Sequence, residues 1–350
     1  MKTWQMKTWQ KKIWKKKIWK KKKLTGLALS ITVLAAAITG CGAIKADGAI
    51  ITENSVTVTD ERQAEEGKTV VTIGYLPITH ALTIFEEKEL LDAGDEQVQI
   101  KLQKFGSWTD LTDALNAGQI DGASMLVELA MGASSRGIDL RAVGLGHRDG
   151  NVIVVSDKIE SAADLKGKTF AIPSNQSSHN ILLNDMLEKA GLAREDLNII
   201  QLPPAEMPSS LAGKAIDGYC VAEPFGAQAV VSGIGHVLYK SEELWENSIC
   251  CALVLRGDFI DSHTDEVRLL AEYYDKAGNA LTGEEKLDIA SQYLGQDTKV
   301  LEESLGWISF DSLAIDAEDY KLLAEKVVKD GILESPPAYE EFVWQNGGEQ

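Results

Sequence analysis

Val70-Val71-Thr72-Ile73-Gly74-Tyr75, residues 78–91 and Val98-Gln99-Ile100-Lys101-Leu102-Gln103-Lys104-Phe105 form the stretch from which the fold is read. The two flanking runs are β-branched and short, as strands are. The segment between them repeats its apolar residues at helical spacing. Strand, helix and strand in succession describe a βαβ unit, and the pattern continues. Residues 108–117 read as a helix ended by Gly118, residues 120–123 as a strand, 127–135 as a helix and 140–145 as a strand. A second series follows Asn151. Strands are expected over 152–156, 169–173, 197–202, 217–221 and 236–240, with helices over 178–190, 205–213 and 225–232 between them. Residues 251–255 read as a returning strand, and the remainder as helices over 265–280, 283–293, 298–305 and 317–330. Alternation of this kind implies an α/β fold with mostly parallel sheets covered by helices. One such lobe is inserted into another, with crossovers near 147–156 and 241–254, so a hinged cleft is expected. Lobe 1 is assigned to residues 68–148 plus 251–350, and lobe 2 to 149–250.

Outside this body the chain changes character. Residues 1–40 hold 11 lysines and no acidic residue. Removing them from 35 basic and 53 acidic residues leaves 24 against 53, a net −29 on the rest. So acidic a body repels phosphate backbones, which excludes nucleic acid as a partner. Trp4, Trp9, Trp14 and Trp19 recur every five residues, a spacing that matches neither a helix face nor a strand face. A basic amphipathic membrane helix and an extended positive leader both fit this segment. The uncharged run over 24–39 and the small residues before Gly40-Cys41 favour the leader, a secretory signal peptide over 1–40. The run is short for a membrane span of about 20 residues. Residues 41–67 are polar and acidic without a sustained period, as a flexible tether would be.

Ile38-Thr39-Gly40-Cys41 resembles the lipobox of bacterial lipoproteins, which implies lipidation of Cys41 and an extracytoplasmic, membrane-anchored chain. A second resemblance lies in the body. Ser107-Trp108 with Leu115-Asn116-Ala117-Gly118-Gln119-Ile120-Asp121-Gly122-Ala123, and Ser178-His179-Asn180 after Ile172-Pro173, are similar to segments of solute-binding proteins for nitrate, bicarbonate and sulfonates. Leu202-Pro203-Pro204-Ala205-Glu206-Met207, Ala215-Ile216-Asp217-Gly218-Tyr219-Cys220-Val221-Ala222-Glu223-Pro224-Phe225 and Gly150-Asn151 resemble the nitrate and bicarbonate branch in particular. Over residues 68–260 the resemblance implies a two-lobe periplasmic-binding-protein fold, type II-like, with hinge crossovers and C-terminal helices. It further implies a monomeric receptor that delivers a small anion to the permease of an ABC importer. One departure bears on the ligand. The nitrate-binding proteins contact their anion with a lysine near the position of Cys251, whereas no Lys or Arg lies between Glu242 and Leu255.

In open α/β sheets ligands sit beyond the carboxyl ends of the strands, so the residues just after each strand are the candidates. Thr79 and His80 follow the first strand, where Thr79 could cap a helix and His80 either donate to a ligand or face water. Trp108 opens a helix and could stack on a planar ligand or fill the core. Met125 and Glu128 follow the third strand. Gly150 and Asn151 lie at the first crossover. Asn175, Ser178 and His179 belong to a polar run that could hold an anion at a helix N-terminus, with Ser177 or Ser178 as plain N-cap. Glu223 could touch ligand or brace its loop. Cys251 and its neighbour Cys250 could be buried small residues or soft metal ligands. No cofactor is required by any motif. A bound metal stays open as an alternative through His80, His179 and Glu223, with His147 and Glu128 in neighbouring segments. Gly-x-Ser-x-Gly, Gly-x-x-x-x-Gly-Lys, His-Glu-x-x-His and Cys-x-x-Cys are all absent, and the chain is expected not to be an enzyme. The rival readings are a receptor for a planar neutral solute such as a thiamine-type pyrimidine precursor, a secreted enzyme using His179 and Glu223, and a metal-binding surface lipoprotein.

Overall fold

The structure, a computed structural model, describes residues 67–94 and 96–345. The signal segment, the lipobox with Cys41 and the tether up to residue 66 lie outside them. Two five-stranded sheets dominate. The first contains β1 (Thr69–Tyr75), β2 (Val98–Lys104), β3 (Gly122–Leu126), β4 (Leu140–Leu145) and β11 (Cys251–Arg256), in the order β2-β1-β3-β11-β4. The second contains β6 (Asn151–Val155), β7 (Thr169–Ile172), β8 (Asn198–Gln201), β9 (Gly218–Ala222) and β10 (His236–Lys240), in the order β10-β6-β9-β7-β8. Read from the other edge, the second order repeats the first: two parallel strands, a third, an intruder, and a last. Between the sheets, β5 (Arg148–Asp149) pairs with β12 (Ile308–Ser309).

The sheets are mostly parallel in strand direction, as expected: four strands of each run the same way and one intruder runs against them. β11 runs antiparallel to both β3 and β4, and β6 antiparallel to both β9 and β10, while β1, β2, β3 and β7, β8, β9 pair in parallel. Each intruder is the strand on which the chain enters its sheet from a crossover. It arrives at the carboxyl end of the parallel strands and must run back along them, as the two-crossover topology demands.

Helices cover the faces. These are α1 (Leu82–Ala93), α2 (Trp108–Asn116), α3 (Val127–Ser134), α4 (Ser178–Ala190), α5 (Met207–Ala212) and α6 (Phe225–Val231). After β11 come α7 (Gly257–Ser262), α8 (Thr264–Ala280), α9 (Glu285–Leu294), α10 (Thr298–Leu305), α11 (Ala317–Lys329) and α12 (Tyr339–Phe342). Local chemistry sets their ends. Ser107 caps α2 by accepting the Asp110 N–H, and Gly191 ends α4 in the left-handed conformation at φ 68°, which glycine adopts without a Cβ penalty. Several expected limits move. β3 begins at Gly122 because Asp121 turns its carboxylate onto the Thr72 N–H at 2.7 Å. The helix expected from residue 78 starts as a 3-10 turn, Thr79–Ala81, since the Thr79 N–H is taken by Glu223 O at 2.8 Å. α7, α12 and the β5–β12 pair were not anticipated.

Candidate functional site

At the carboxyl ends of β1 and β4 and the start of β11, four side chains from distant parts of the chain meet. They are His80, His147, Cys250 and Cys251, all buried, with their potential ligand atoms all within 4.8 Å of one another. His80 Nδ1 stands 3.6 Å from the Sγ of Cys250 and 3.6 Å from the Sγ of Cys251. The two sulfurs are 3.7 Å apart, far outside disulfide bonding distance. The rings of His80 and His147 lie 3.6 Å apart between centroids.

The backbone holds this arrangement. His80 Nε2 donates to Gly150 O at 2.9 Å and His147 Nδ1 donates to Asp149 O at 2.8 Å, so both imidazoles are anchored on the first crossover. The Gly146 N–H donates to Cys251 O at 2.8 Å, and Thr83 Oγ1 donates to Gly146 O at 2.6 Å, which fixes the segment carrying His147. From lobe 2, Ser178 Oγ donates to Cys250 Sγ at 3.1 Å, and Asn151 Oδ1 lies 3.8 Å from the same sulfur.

Electrostatics separate the two thiols. Burial opposes ionisation of Cys250, but the Cys251 thiol and the imidazoles of His80 and His147 outweigh it, and Cys250 titrates well below an ordinary thiol. Burial and the neighbouring Cys250 push Cys251 well up. Burial, with His80 beside it, lowers His147 to about 4, and burial lowers His179 to about 4, so both rings are neutral at pH 7. Glu128 is raised well above the usual carboxylate range by burial and by Cys250.

Around the quartet lie buried polar atoms with no hydrogen-bond partner: both ring nitrogens of His179, both carboxyl oxygens of Glu128, His147 Nε2 and Asn151 Nδ2. Such atoms cost free energy unless something satisfies them. Nearer the surface, a cavity of about 410 Å³ is walled by Ser107, Trp108 and Arg136 from lobe 1 and by Ser174, Gln176 and Pro203 from lobe 2. The buried Trp108 Nε1 is likewise without a partner.

The expected site residues therefore divide. His80, Asn151, Ser178 and Cys251 stand in or against the quartet, with Gly150 supplying the carbonyl that orients His80. His179 and Glu128 are buried beside Cys250, whose charge each of them feels. Trp108 lines the outer cavity. Met125 is buried in β3, paired with Ala252. Thr79 and Glu223 join the lobes through the backbone: the Thr79 N–H and Oγ1 both donate to Glu223 O. The Glu223 carboxylate accepts the Ala227 N–H on Oε2 at 3.1 Å, its Oε1 is buried without a partner, and it stands outside the metal-competent quartet. Asn175 is exposed and accepts from Arg194 Nη2 at 3.1 Å, away from the quartet. Ser177 is the N-cap of α4, yet its hydroxyl donates to Ser174 O instead of accepting a helix N–H. Arg136 was not singled out from sequence, and His147 and Cys250 were weighed there only within the metal alternative. His147 and Cys250 carried a signal, being a histidine at a crossover and half of a cysteine pair.

Comparison with known proteins follows the same lines. Residues 64–295 match the NMT1-like family model, so the chain belongs to the NMT1-like family. It resembles the ligand-binding component of an ABC-type import system from Staphylococcus aureus, solved with zinc bound, at 35% identity and a TM-score of 0.76. That match covers 79% of this chain and 97% of the other. The nitrate import ATP-binding protein NrtC of Synechocystis sp. is 27% identical over 280 residues, covering 72% of this chain and 41% of that protein. A putative aliphatic sulfonates-binding protein of Escherichia coli is 29% identical over 185 residues, 52% of this chain and 58% of that one. The chain thus spans 41% and 58% of the length of these two curated relatives. Homology to substrate-binding proteins of ABC importers, and their two-lobe α/β fold, are established by these matches.

Proposed function

We propose that this chain is the extracytoplasmic receptor of an ABC importer, acting as a monomer and closing its two lobes over a small solute for delivery to a permease. One observation carries the reading. Buried polar side chains without partners converge from both lobes at the interlobe boundary, beyond the strand ends, where a ligand would satisfy them. The lipobox at Cys41 supports a lipid anchor on the outer membrane face. Among the described residues no helix is long and apolar enough to cross a membrane. No catalytic motif argues for turnover.

Two cargo classes have support. An oxyanion would draw on the Trp108 indole and Arg136 at the outer cavity, and relatives named for nitrate and sulfonates support it. A metal cation is favoured by the desolvated pair of thiols and pair of imidazoles, and by the zinc in the similar staphylococcal structure. Thermal melting and small-angle scattering of the full chain test the receptor reading. The panel holds nitrate, bicarbonate, alkanesulfonates, pyrimidines, zinc and chelator. A solute at about 100 times its Kd adds about 2.7 kcal/mol, a rise of several degrees in Tm, with a smaller radius of gyration. A panel that moves neither quantity overturns the reading.

A further inference from the structure

We propose that His80 Nδ1, His147 Nε2, Cys250 Sγ and Cys251 Sγ are the four ligands of a tetrahedral site for zinc(II), and that this ion is the cargo. The second half rests on the receptor reading above, whereas the site itself does not.

The first argument is metric. Zinc bonds of about 2.3 Å to sulfur and about 2.0–2.1 Å to nitrogen, at tetrahedral angles, require S···S near 3.8 Å and S···N near 3.6 Å. The observed S···S distance is 3.7 Å, and the two S···N distances at His80 are both 3.6 Å. The second argument is the outer shell. A metal-bound histidine donates its other ring N–H to a carbonyl or carboxylate, which fixes the tautomer and aims the lone pair. Both histidines do so here, His80 onto Gly150 O and His147 onto Asp149 O. The remaining His147 nitrogen is buried without a partner.

The third argument is charge. Two thiolates and two neutral imidazoles around a dication sum to zero, the cheapest state for a fully buried centre. An oxyanion at the same place would meet two thiols and the buried Glu128 carboxyl. Thiolate and imidazole donors also select zinc over calcium or magnesium, which take oxygen ligands. As each metal–sulfur bond forms, a thiol S–H breaks and its proton leaves to solvent.

Placement makes the ion cargo. All four ligands come from lobe 1 and the crossovers, and Ser178 of lobe 2 lies over Cys250. The ion is thus enclosed when the lobes meet and exposed when they part.

The full chain, reduced and stripped with chelator, is titrated with cobalt(II) as the spectroscopic probe and zinc as competitor. The expected result is a one-to-one complex with a thiolate-to-cobalt charge-transfer band and the intense visible bands of tetrahedral cobalt, erased by zinc. Cys250→Ser, Cys251→Ser and His147→Ala each weaken binding by roughly 100-fold or more, beyond what outer-shell changes cost. Cys220→Ser, a buried thiol outside the quartet, keeps the bands and shows that loss is not misfolding. Bands that survive both Cys250→Ser and Cys251→Ser, or a six-coordinate cobalt spectrum, overturn the site. Scattering on the same samples tests the cargo. Zinc should shrink the stripped chain, and tetrahedral bands without compaction would overturn the cargo assignment alone. Compaction of the stripped chain by nitrate or an alkanesulfonate, but not by zinc, would uphold the receptor reading and overturn zinc as its cargo.

Discussion

Glu223 carries a buried carboxyl whose ionisation the fold opposes. Burial pushes its carboxyl up from 4.5 to about 8, against the stabilising Ala227 N–H. The folded state therefore holds a proton that the unfolded chain has already lost between pH 4.5 and about 8. Stability falls as pH rises through that window. His147 and His179, lowered from 6.5 to about 4, act in the other sense, because the unfolded chain takes up protons first as pH drops. Their contribution is complete above pH 6.5 and fades towards pH 4. Above about pH 6.5 the imidazole contribution levels off, and the part of the slope that a change at Glu223 removes belongs to its carboxyl. Glu223→Gln should flatten it, with a gain on the order of a few kcal/mol at pH 8 and little change near pH 5. Denaturant melts at the two pH values check this, and equal slopes in both proteins would refute it. The Thr79 hydrogen bonds go to the main-chain oxygen of Glu223 and survive the substitution.

Among the elements, α11 reaches a helix of lobe 2. Lys326 Nζ reaches Asp185 on α4 at 2.8 Å, and Lys329 Nζ reaches Glu188 on the same helix at 2.6 Å. Lys326 also lies 5.1 Å from the Trp245 ring centroid, at the second crossover. A C-terminal helix thus clasps a helix of lobe 2. The outer pair is well exposed and each such pair contributes little, about 0–1 kcal/mol. The Lys326 pair is more sheltered and shares its lysine with the ring. Lys326→Ala with Lys329→Ala should lower Tm by only a few degrees while enlarging the radius of gyration at low salt. Wild type should open in the same sense as ionic strength rises. A scattering profile unchanged by both treatments would show that the clasp does not bias the lobes. Nothing in the spacing of residues 317–330 distinguishes this helix from one that merely covers a sheet, because its partner lies 141 positions away.

At the scale of the whole molecule, two repeated sheet topologies are joined by two crossovers, and opening must bend the chain there. Gly150 sits at the first crossover with φ +80°, and a Cβ on it would meet Ile308 side-chain carbons at 2.9–3.0 Å. Gly150→Ala should cost roughly 1 kcal/mol or more from the left-handed backbone and the close approach together. It should also weaken zinc retention, because the Gly150 carbonyl that orients His80 shifts with it. Unchanged melting and unchanged cobalt affinity would contradict this account.

Element types and their alternation were legible in the sequence, since period-2 and period-3.6 patterns, caps and C-terminal glycines act within a few residues. From them followed the α/β class, the two series and the region beyond the strand ends as the place to look. What the tertiary structure alone decided is which of those loop residues meet. His80 and Cys250 are 170 positions apart, and His80 takes its orientation from a carbonyl 70 positions away. Sheet order and the reversed run of β11 bring them together, and neither is encoded in the spacing of any one segment. The sequence showed a missing lysine beside two cysteines. Only the fold set that pair of thiols against two anchored imidazoles.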